Sequence, residues 1–316
     1  MTGESTASTA STASTESGES GESGAVTGEW RSPAQMLDDQ HYDGHVSVHD
    51  AAAAASLGLA GAPIEGPTHF SQFDPLAVQV WGDDWFRHGC ISAHFQTMVV
   101  AGEEVQATLT PTGARTARIE AAKRDGSTVL MGTASVGPDH PPTELEQRLA
   151  RSREPGELFI VDRLAVGQRS SDGDVVTMTA HDSNGNLYPF SLAQKLQHIT
   201  ESSPYYGTDS PWGAAVVPME MISVLAMKSG SSFAVRGPAL GLFLDLEIRL
   251  LDGPVLVGRR YVIGREVVGL SQSRKTESYW MRTTLTDADT DTPVASVLLH
   301  SGVFKASYAA YPQDRL

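Results

Sequence analysis

The chain presents one order of elements twice, and this order constrains the fold more than any other feature of the sequence. In each half, an apolar helix candidate is followed by four runs that alternate as β-strands do. The first helix candidate covers 67–81, with apolar residues at helical spacing, and the second covers 216–227 and is apolar on most sides. A helix followed by an antiparallel meander, occurring twice, predicts a duplicated α+β fold.

The strand candidates are separated by Gly-containing turns, including the Asp125-Gly126 pair that is typical of a hairpin. Two meanders of this kind can pair edge to edge, which removes two exposed sheet edges. The candidates are 91–100, 103–113, 114–124 and 128–137 in the first half, and 242–253, 254–270, 276–289 and 292–304 in the second.

Composition along the chain predicts four parts. Residues 1–28 are a Ser/Thr/Gly/Glu tail with too little apolar surface to fold and no apolar core of a secretory signal, so we expect disorder. The first unit covers 29–137. Residues 138–156 mix Pro with charge and are interpreted as a linker with a short solvated helix, and the second unit covers 157–316.

The charge balance limits the classes of partner that the protein is expected to bind. With 38 acidic and 23 basic residues the formal net charge is −15, so the surface repels nucleic acid and anionic membranes. No apolar run reaches the ~20 residues that a membrane span needs. The single cysteine, Cys90, excludes an internal disulfide and fits a small core residue, so we expect a soluble protein of the reducing cytoplasm.

Four segments resemble a known family: "VHDAAAAASLGLAGAPIEGPTHF", "VVAGEEVQATL", "DGSTVLMGTASVG" and "SSPYYGTDSPWGAAVVPMEM". Their Ala-rich helix, Gly-rich turn and entry to a central helix are similar to the hot-dog fold, and specifically to the MaoC-like acyl dehydratases and (R)-specific enoyl-CoA hydratases. The resemblance implies a double hot-dog protein over about residues 30 to 310. It also implies hydration or dehydration of an acyl thioester carried by coenzyme A or a carrier protein.

The resemblance also implies catalytic residues. The family's Asp-x-Asn-Pro-x-His motif places its histidine on His49, whereas its aspartate falls on Gly44, with Asp43 one place away. In the second unit Glu201 stands at the acid, and Tyr206 replaces the histidine. Neither half carries the complete pair, and the residues that the resemblance designates as catalytic are His49, Asp43, Glu201 and Tyr206.

Substrate-binding candidates surround the starts of the two central helices. Free N–H groups there can stabilise an enolate oxygen, which indicates Gly66 in the first unit and Gly213 in the second. Glu65 and His69 are an i, i+4 pair beside Gly66 and can serve as a pocket acid and base, or Glu65 can simply favour the helix dipole. The aromatic residues Tyr205 and Trp212 are expected to form a wall for an apolar acyl chain.

Simpler interpretations compete with these. Glu201 and Tyr206 can be ordinary turn residues, and Asp50 is best explained as the N-cap of the alanine run. His41 and His45 precede His49 at four-residue spacing, but the β-branched residues between them oppose a helix, so no metal site is predicted.

No nucleotide or dinucleotide fingerprint is present, and no cofactor is predicted. Two other functions stay open: a hot-dog cavity that cyclises or isomerises a polyketide-like chain by shaping it, and a non-catalytic acyl-binding module. A homodimer is one assembly compatible with the fold.

Overall fold

The computed structural model describes residues 1–2, 24–41, 47–56, 58–170, 173–230 and 233–316. Ten antiparallel strands form one continuous sheet, in the order β1-β3-β4-β5-β2-β7-β10-β9-β8-β6. Their bounds are β1 Val26–Thr27, β2 Gly89–Phe95, β3 Val105–Gly113, β4 Thr116–Lys123, β5 Thr128–Val136, β6 Asp174–Thr177, β7 Gly241–Leu250, β8 Arg260–Gln272, β9 Thr276–Asp287 and β10 Pro293–Phe304.

Short helices accompany this sheet. The α-helices are α1 Ala51–Ser56, α2 Asp74–Trp81, α3 Asp84–His88, α4 Glu144–Ala150, α5 Leu192–His198 and α6 Met219–Met227, and 3₁₀ turns cover Gly66–Gln72, Pro204–Tyr206, Lys305–Ser307 and Gln313–Arg315. The first central helix is therefore a 3₁₀ turn, Gly66–Gln72, that continues after Phe73 as α2. The second is α6 alone, which packs against that 3₁₀ turn.

The two halves join where β2 pairs with β7, with Ile91 opposite Ile248 and Ala93 opposite Leu246. This is the edge-to-edge pairing that the repeated pattern predicts. All eight residues from Met219 to Ala226 are buried in α6, because the apolar inner face of the joined sheet encloses it together with the first central helix. The duplicated α+β fold is confirmed.

Two parts differ from the sequence prediction. The end of the predicted disordered tail forms β1, in which Val26 pairs with Leu109 of β3, while residues 3–23 lie outside the described residues. The predicted linker contains α4, which begins at a capping box on Thr143 and buries Leu145 against Trp280 and Leu298. This helix is therefore fixed to the sheet on one side, whereas a solvated helical turn was expected.

In the described parts of the chain, no helix combines the length and the apolar character that crossing a membrane requires.

Candidate functional site

A cavity of ≈ 260 Å³ lies between the start of the first central helix, the end of β2 and the start of β7. Four residues expected at the site border it: His49, Glu65, Gly66 and His69. The rest of its wall is mainly apolar and consists of Gln40, Val48, Pro63, Ile64, Phe95, Gln96, Thr97, Met98, Val99, Val129, Gly241, Leu242, Phe243 and Leu244.

The position of His49 follows from the residues on both sides of it. Asp50 caps α1 through a 2.8 Å hydrogen bond from the Ala53 N–H to Oδ1, as the sequence predicts. Nδ1 of His49 lies 2.7 Å from the carbonyl oxygen of Pro63. Because a carbonyl oxygen only accepts, Nδ1 carries the proton, and Nε2 keeps the lone pair. Burial lowers the pKa of His49 despite this hydrogen bond, so the neutral imidazole is favoured.

Glu65 precedes the first central helix and is the carboxyl group that the described residues contribute to the cavity. The hydroxyl of Tyr188 donates a 2.8 Å hydrogen bond to its Oε1. Burial raises the pKa of Glu65, and the opposing effects of Lys195 and Tyr188 are smaller. The protein environment therefore favours the protonated form of Glu65 more strongly than bulk water does.

His69 lies one helical turn further along and is only 2% exposed. Burial, followed by the positive charge of Lys195, lowers its pKa to about 4, so this imidazole is neutral at neutral pH. Among the described residues, its Nδ1 has no hydrogen-bond partner. The cavity thus contains two neutral imidazoles and one carboxyl group, which is a set suited to proton transfer.

A buried ion pair contacts the start of the first central helix. Nζ of Lys195, on α5, lies 3.3 Å from Oε1 of Glu220 on α6, and it also donates a 3.3 Å hydrogen bond to Oγ1 of Thr68. Burial, opposed by Lys195, raises the pKa of Glu220 to about 7. Sequence reasoning missed Tyr188, Lys195 and Glu220, although a carboxyl group within the otherwise apolar α6 was a visible signal.

Gly66 is required by a close contact. A Cβ atom at this position would lie 2.8 Å from Cζ of Phe95, whose ring stacks on Phe70 at a centroid distance of 6.1 Å. The absence of a side chain lets the ring close the cavity against the backbone.

The second-unit candidates contact other groups and do not border this cavity. Tyr206 is buried and donates a 2.7 Å hydrogen bond to Oδ2 of Asp74, and Arg31 binds Glu201 through a 2.6 Å contact from Nε to Oε1. The structure therefore separates Glu201 and Tyr206 from His49. Asp43 lies outside the described residues.

The remaining second-unit candidates lie at an aromatic group near α3. The rings of Tyr205 and Trp212 are tilted 5.8 Å apart, and both contact Phe86. The Tyr205 hydroxyl donates a 2.6 Å hydrogen bond to Asp83. Gly213 has a φ of 71° in the turn before α6. The aromatic wall exists, but it belongs to a different part of the surface from the cavity.

A capped helix start occurs in each unit. Ser191 caps α5 with a capping box, as Asp50 caps α1, and the residue before this cap is Phe190. The cap geometry thus repeats while the imidazole does not.

Neither a metal site nor a reactive thiol emerges from the described residues. No group of three or more His, Cys, Asp or Glu side chains there is arranged so that it could hold a metal ion, and His45 lies outside the described ranges. Cys90 is buried, and burial raises the pKa of its thiol, so it behaves as a core residue.

Comparison with solved structures defines the fold class. A putative MaoC domain dehydratase from Chloroflexus aurantiacus matches with a TM-score of 0.52 and 15% identity, covering 88% of this chain and 95% of that one. Another MaoC-like dehydratase matches with a TM-score of 0.50 and 14% identity, covering 89% and 98%. These matches and the ten-stranded sheet identify a double hot-dog fold.

A conserved hypothetical protein from Mycobacterium tuberculosis, described as having a double hotdog fold, matches with a TM-score of 0.52 and 11% identity over 81% of this chain and 86% of that one. No family model matches the sequence, and no curated protein matches it. At these identities the likeness shows only the fold, which this chain shares with MaoC-like dehydratases.

Proposed function

We propose that the chain is an enzyme that hydrates or dehydrates an acyl thioester in the first-unit cavity. The observation that carries the proposal is the orientation of His49: its Nδ1 is committed to the Pro63 carbonyl, so Nε2 is the free base of a neutral imidazole at the cavity wall. A base in this state can take a proton from water as the oxygen attacks C3 of an enoyl thioester.

The reaction also needs an acid to protonate C2, and Glu65 supplies it in this proposal. Its raised pKa favours the protonated form, and Tyr188 occupies only Oε1. In the dehydration direction the roles reverse, so Glu65 takes the C2 proton and the imidazolium of His49 protonates the leaving hydroxyl. This assignment gives the carboxyl role to Glu65, whereas the resemblance designates Asp43 as the catalytic carboxyl group of the first unit.

The backbone N–H of Gly66 is the proposed donor to the thioester carbonyl. It stands at the first position of the central helix, where N–H groups have no partner within the helix. A donor aimed at that oxygen stabilises the enolate as charge develops.

The cavity suits a short acyl chain, since ≈ 260 Å³ lies below the ~300–1,000 Å³ of pockets that hold drug-sized ligands. A second cavity of ≈ 570 Å³ shares Gly241, Leu242 and Phe243 with it. We assign the larger space to the carrier arm of the thioester, so that the reacting carbons C2 and C3 lie where the two cavities meet.

The direct test follows the absorbance of trans-2-enoyl-CoA thioesters of short and medium length as purified protein is added. Loss of the enoyl absorbance, with a 3-hydroxyacyl product identified by mass, supports hydration. Tight binding of these thioesters without turnover would contradict the enzyme proposal and favour the acyl-binding module.

A further inference from the structure

A row of polar and aromatic side chains crosses the face of the sheet that points away from the central helices. Asp245 on β7 pairs with His94 on β2 and with His300 on β10, and His300 pairs in turn with Trp280 on β9. Asp245 alternates with Leu246, which belongs to the main core, so the row faces the opposite side. The hydratase proposal uses none of these residues.

Asp245 is the buried centre of this row, with a side chain that is 0% exposed. His300 Nδ1 lies 2.5 Å from Oδ2, and His94 Nδ1 lies 2.8 Å from Oδ1. Nε of Arg148 also lies 2.9 Å from Oδ1. Burial opposes ionisation, but the bonds from His300 and His94 lower the pKa of Asp245 to about 2, so the carboxylate is charged.

The orientation of His300 is therefore determined. Because its Nδ1 donates to the carboxylate, Nε2 is the accepting nitrogen. Oγ of Ser271, on β8, lies 3.4 Å from Nε2. The imidazole is also stacked on Trp280, with a centroid distance of 3.9 Å and an interplanar angle of 9°. A hydroxyl, an imidazole and a carboxylate thus follow one another in the order that activates a serine nucleophile.

A concave space lies in front of these groups. A cavity of ≈ 350 Å³ is bordered by Ser271 and His300 together with Arg148 and Arg151 of the α4 region. Glu144 also borders this cavity, and Arg148 is paired with Glu144 and Asp245, so the charges at the wall are largely balanced. The side chain of His300 is 12% exposed, so the base is shielded without being sealed.

We propose that Ser271, His300 and Asp245 form a second catalytic site, which hydrolyses an ester or thioester. Ser271 is the nucleophile, His300 is the general base and acid, and Asp245 holds the imidazole in the required tautomer. This site lies on the opposite face of the sheet from the first-unit cavity and does not depend on the function proposed for that cavity.

The reaction proceeds in two balanced steps. Oγ of Ser271 bonds to the carbonyl carbon as its proton passes to Nε2 of His300, and the bond to the leaving oxygen or sulfur breaks as the leaving group takes that proton. Water then attacks the acyl-serine and gives a proton to His300. The ester bond to Oγ breaks, the proton returns to Ser271, and the carboxylic acid is released.

The test treats the full-length protein with a fluorophosphonate probe and maps the modified peptide by mass spectrometry, with hydrolysis of p-nitrophenyl butyrate measured in parallel. We expect the phosphonyl mass on Ser271. The Ser271→Ala protein should lose the label and about 100-fold of the ester hydrolysis. His300→Gln should slow labelling of Ser271 by about 100-fold, which a merely structural histidine would not do.

The matched control is Ser278→Ala, because Oγ of Ser278 lies 2.7 Å from Oγ of Ser271 and forms no hydrogen bond with His300 among the described residues. This variant removes the same serine–serine hydrogen bond and should keep the label. Wild-type protein without a modified Ser271, or hydrolysis unchanged in Ser271→Ala, would overturn the proposal and leave the row as a support for α4. Because the label is located directly on the wild-type protein, the test does not depend on the stability of any variant.

Discussion

Nδ1 of His49 lies 2.7 Å from the carbonyl oxygen of Pro63, and this contact couples the helix start at Asp50 to the turn before the first central helix. The same carbonyl accepts a 2.7 Å hydrogen bond from Nε2 of Gln35. The carbonyl oxygen of Pro63, in segment 58–66, therefore fixes the position of the His49 imidazole. A shift of that segment would move the proposed base.

Replacing His49 with Ala should reduce kcat/KM for enoyl-CoA hydration by about 100-fold, because the base that activates water is lost. The measurement is the initial rate of absorbance loss at several substrate concentrations. His198→Ala is the matched control, since His198 is exposed at the end of α5 and should leave the rate unchanged.

The pH profile checks the same assignment. The pKa of His49 lies below its ordinary 6.5, and the neutral form is the active one, so wild-type activity should decline only as pH falls below 6.5. An acidic limb that survives unchanged in His49→Ala would assign the base to another group.

Replacing Glu65 with Gln should lower kcat by about 10- to 100-fold and change KM little, because the amide still accepts the Tyr188 hydrogen bond but cannot deliver a proton. Steady-state kinetics measures both parameters. Glu104→Gln is the control, as Glu104 is a surface residue paired with Arg124. An unaltered kcat in Glu65→Gln would leave this carboxyl with only a structural role at the helix start.

Replacing Gly66 with Ala should distort the cavity, because the new Cβ would lie 2.8 Å from Cζ of Phe95. We expect a loss of about 1–3 kcal/mol of unfolding free energy, measured by urea denaturation. The double variant Gly66→Ala/Phe95→Leu removes the outer ring atoms and should recover part of the stability. Failure of the second change to help would contradict the steric explanation.

Replacing Tyr206 with Phe should destabilise the fold without abolishing hydration. Its hydroxyl donates to the buried Asp74, and the loss of that donor costs about 1–3 kcal/mol. Thermal melting and hydration rates distinguish the two roles of Tyr206. If the melting temperature is unchanged and the hydration rate falls strongly, Tyr206 is catalytic, as its alignment with the family histidine implies.

Replacing Asp74 with Asn should flatten part of the pH dependence of stability. Burial raises the pKa of Asp74 from 3.8 to about 6, and the hydrogen bonds from Tyr206 and Trp85 offset burial only in part. Below pH 3.8 the carboxyl is protonated in both states and has no differential effect. Between pH 3.8 and 6, Asp74 ionises in the unfolded state but stays largely protonated in the folded state. The free energy of unfolding therefore falls by on the order of 3 kcal/mol as pH rises through this range. Urea denaturation at several pH values measures this slope, and an equal slope in Asp74→Asn would contradict the assignment.

The local part of the site could be predicted from the sequence, because the residues that form it are close to one another along the chain. His49, Glu65, Gly66 and His69 lie within one segment, and the cap at Asp50 and the helix start bring them to one wall. The period-two alternation and the Gly-rich turns likewise determine two similar meanders and the inner face of each strand.

Only the tertiary structure decided which distant residues meet. Alternation assigns a side chain to a face but leaves the register open, so nothing in the sequence places Ser271 beside His300, or Tyr188 beside Glu65. The contacts of Glu201 and Tyr206 illustrate the same limit: the family alignment suggested a pocket, whereas the structure places Arg31 and Asp74, from the other half of the chain, against them. Local patterns form elements because backbone preferences act over a few residues, whereas these contacts exist only once the two sheets pair and bury the side chains between them.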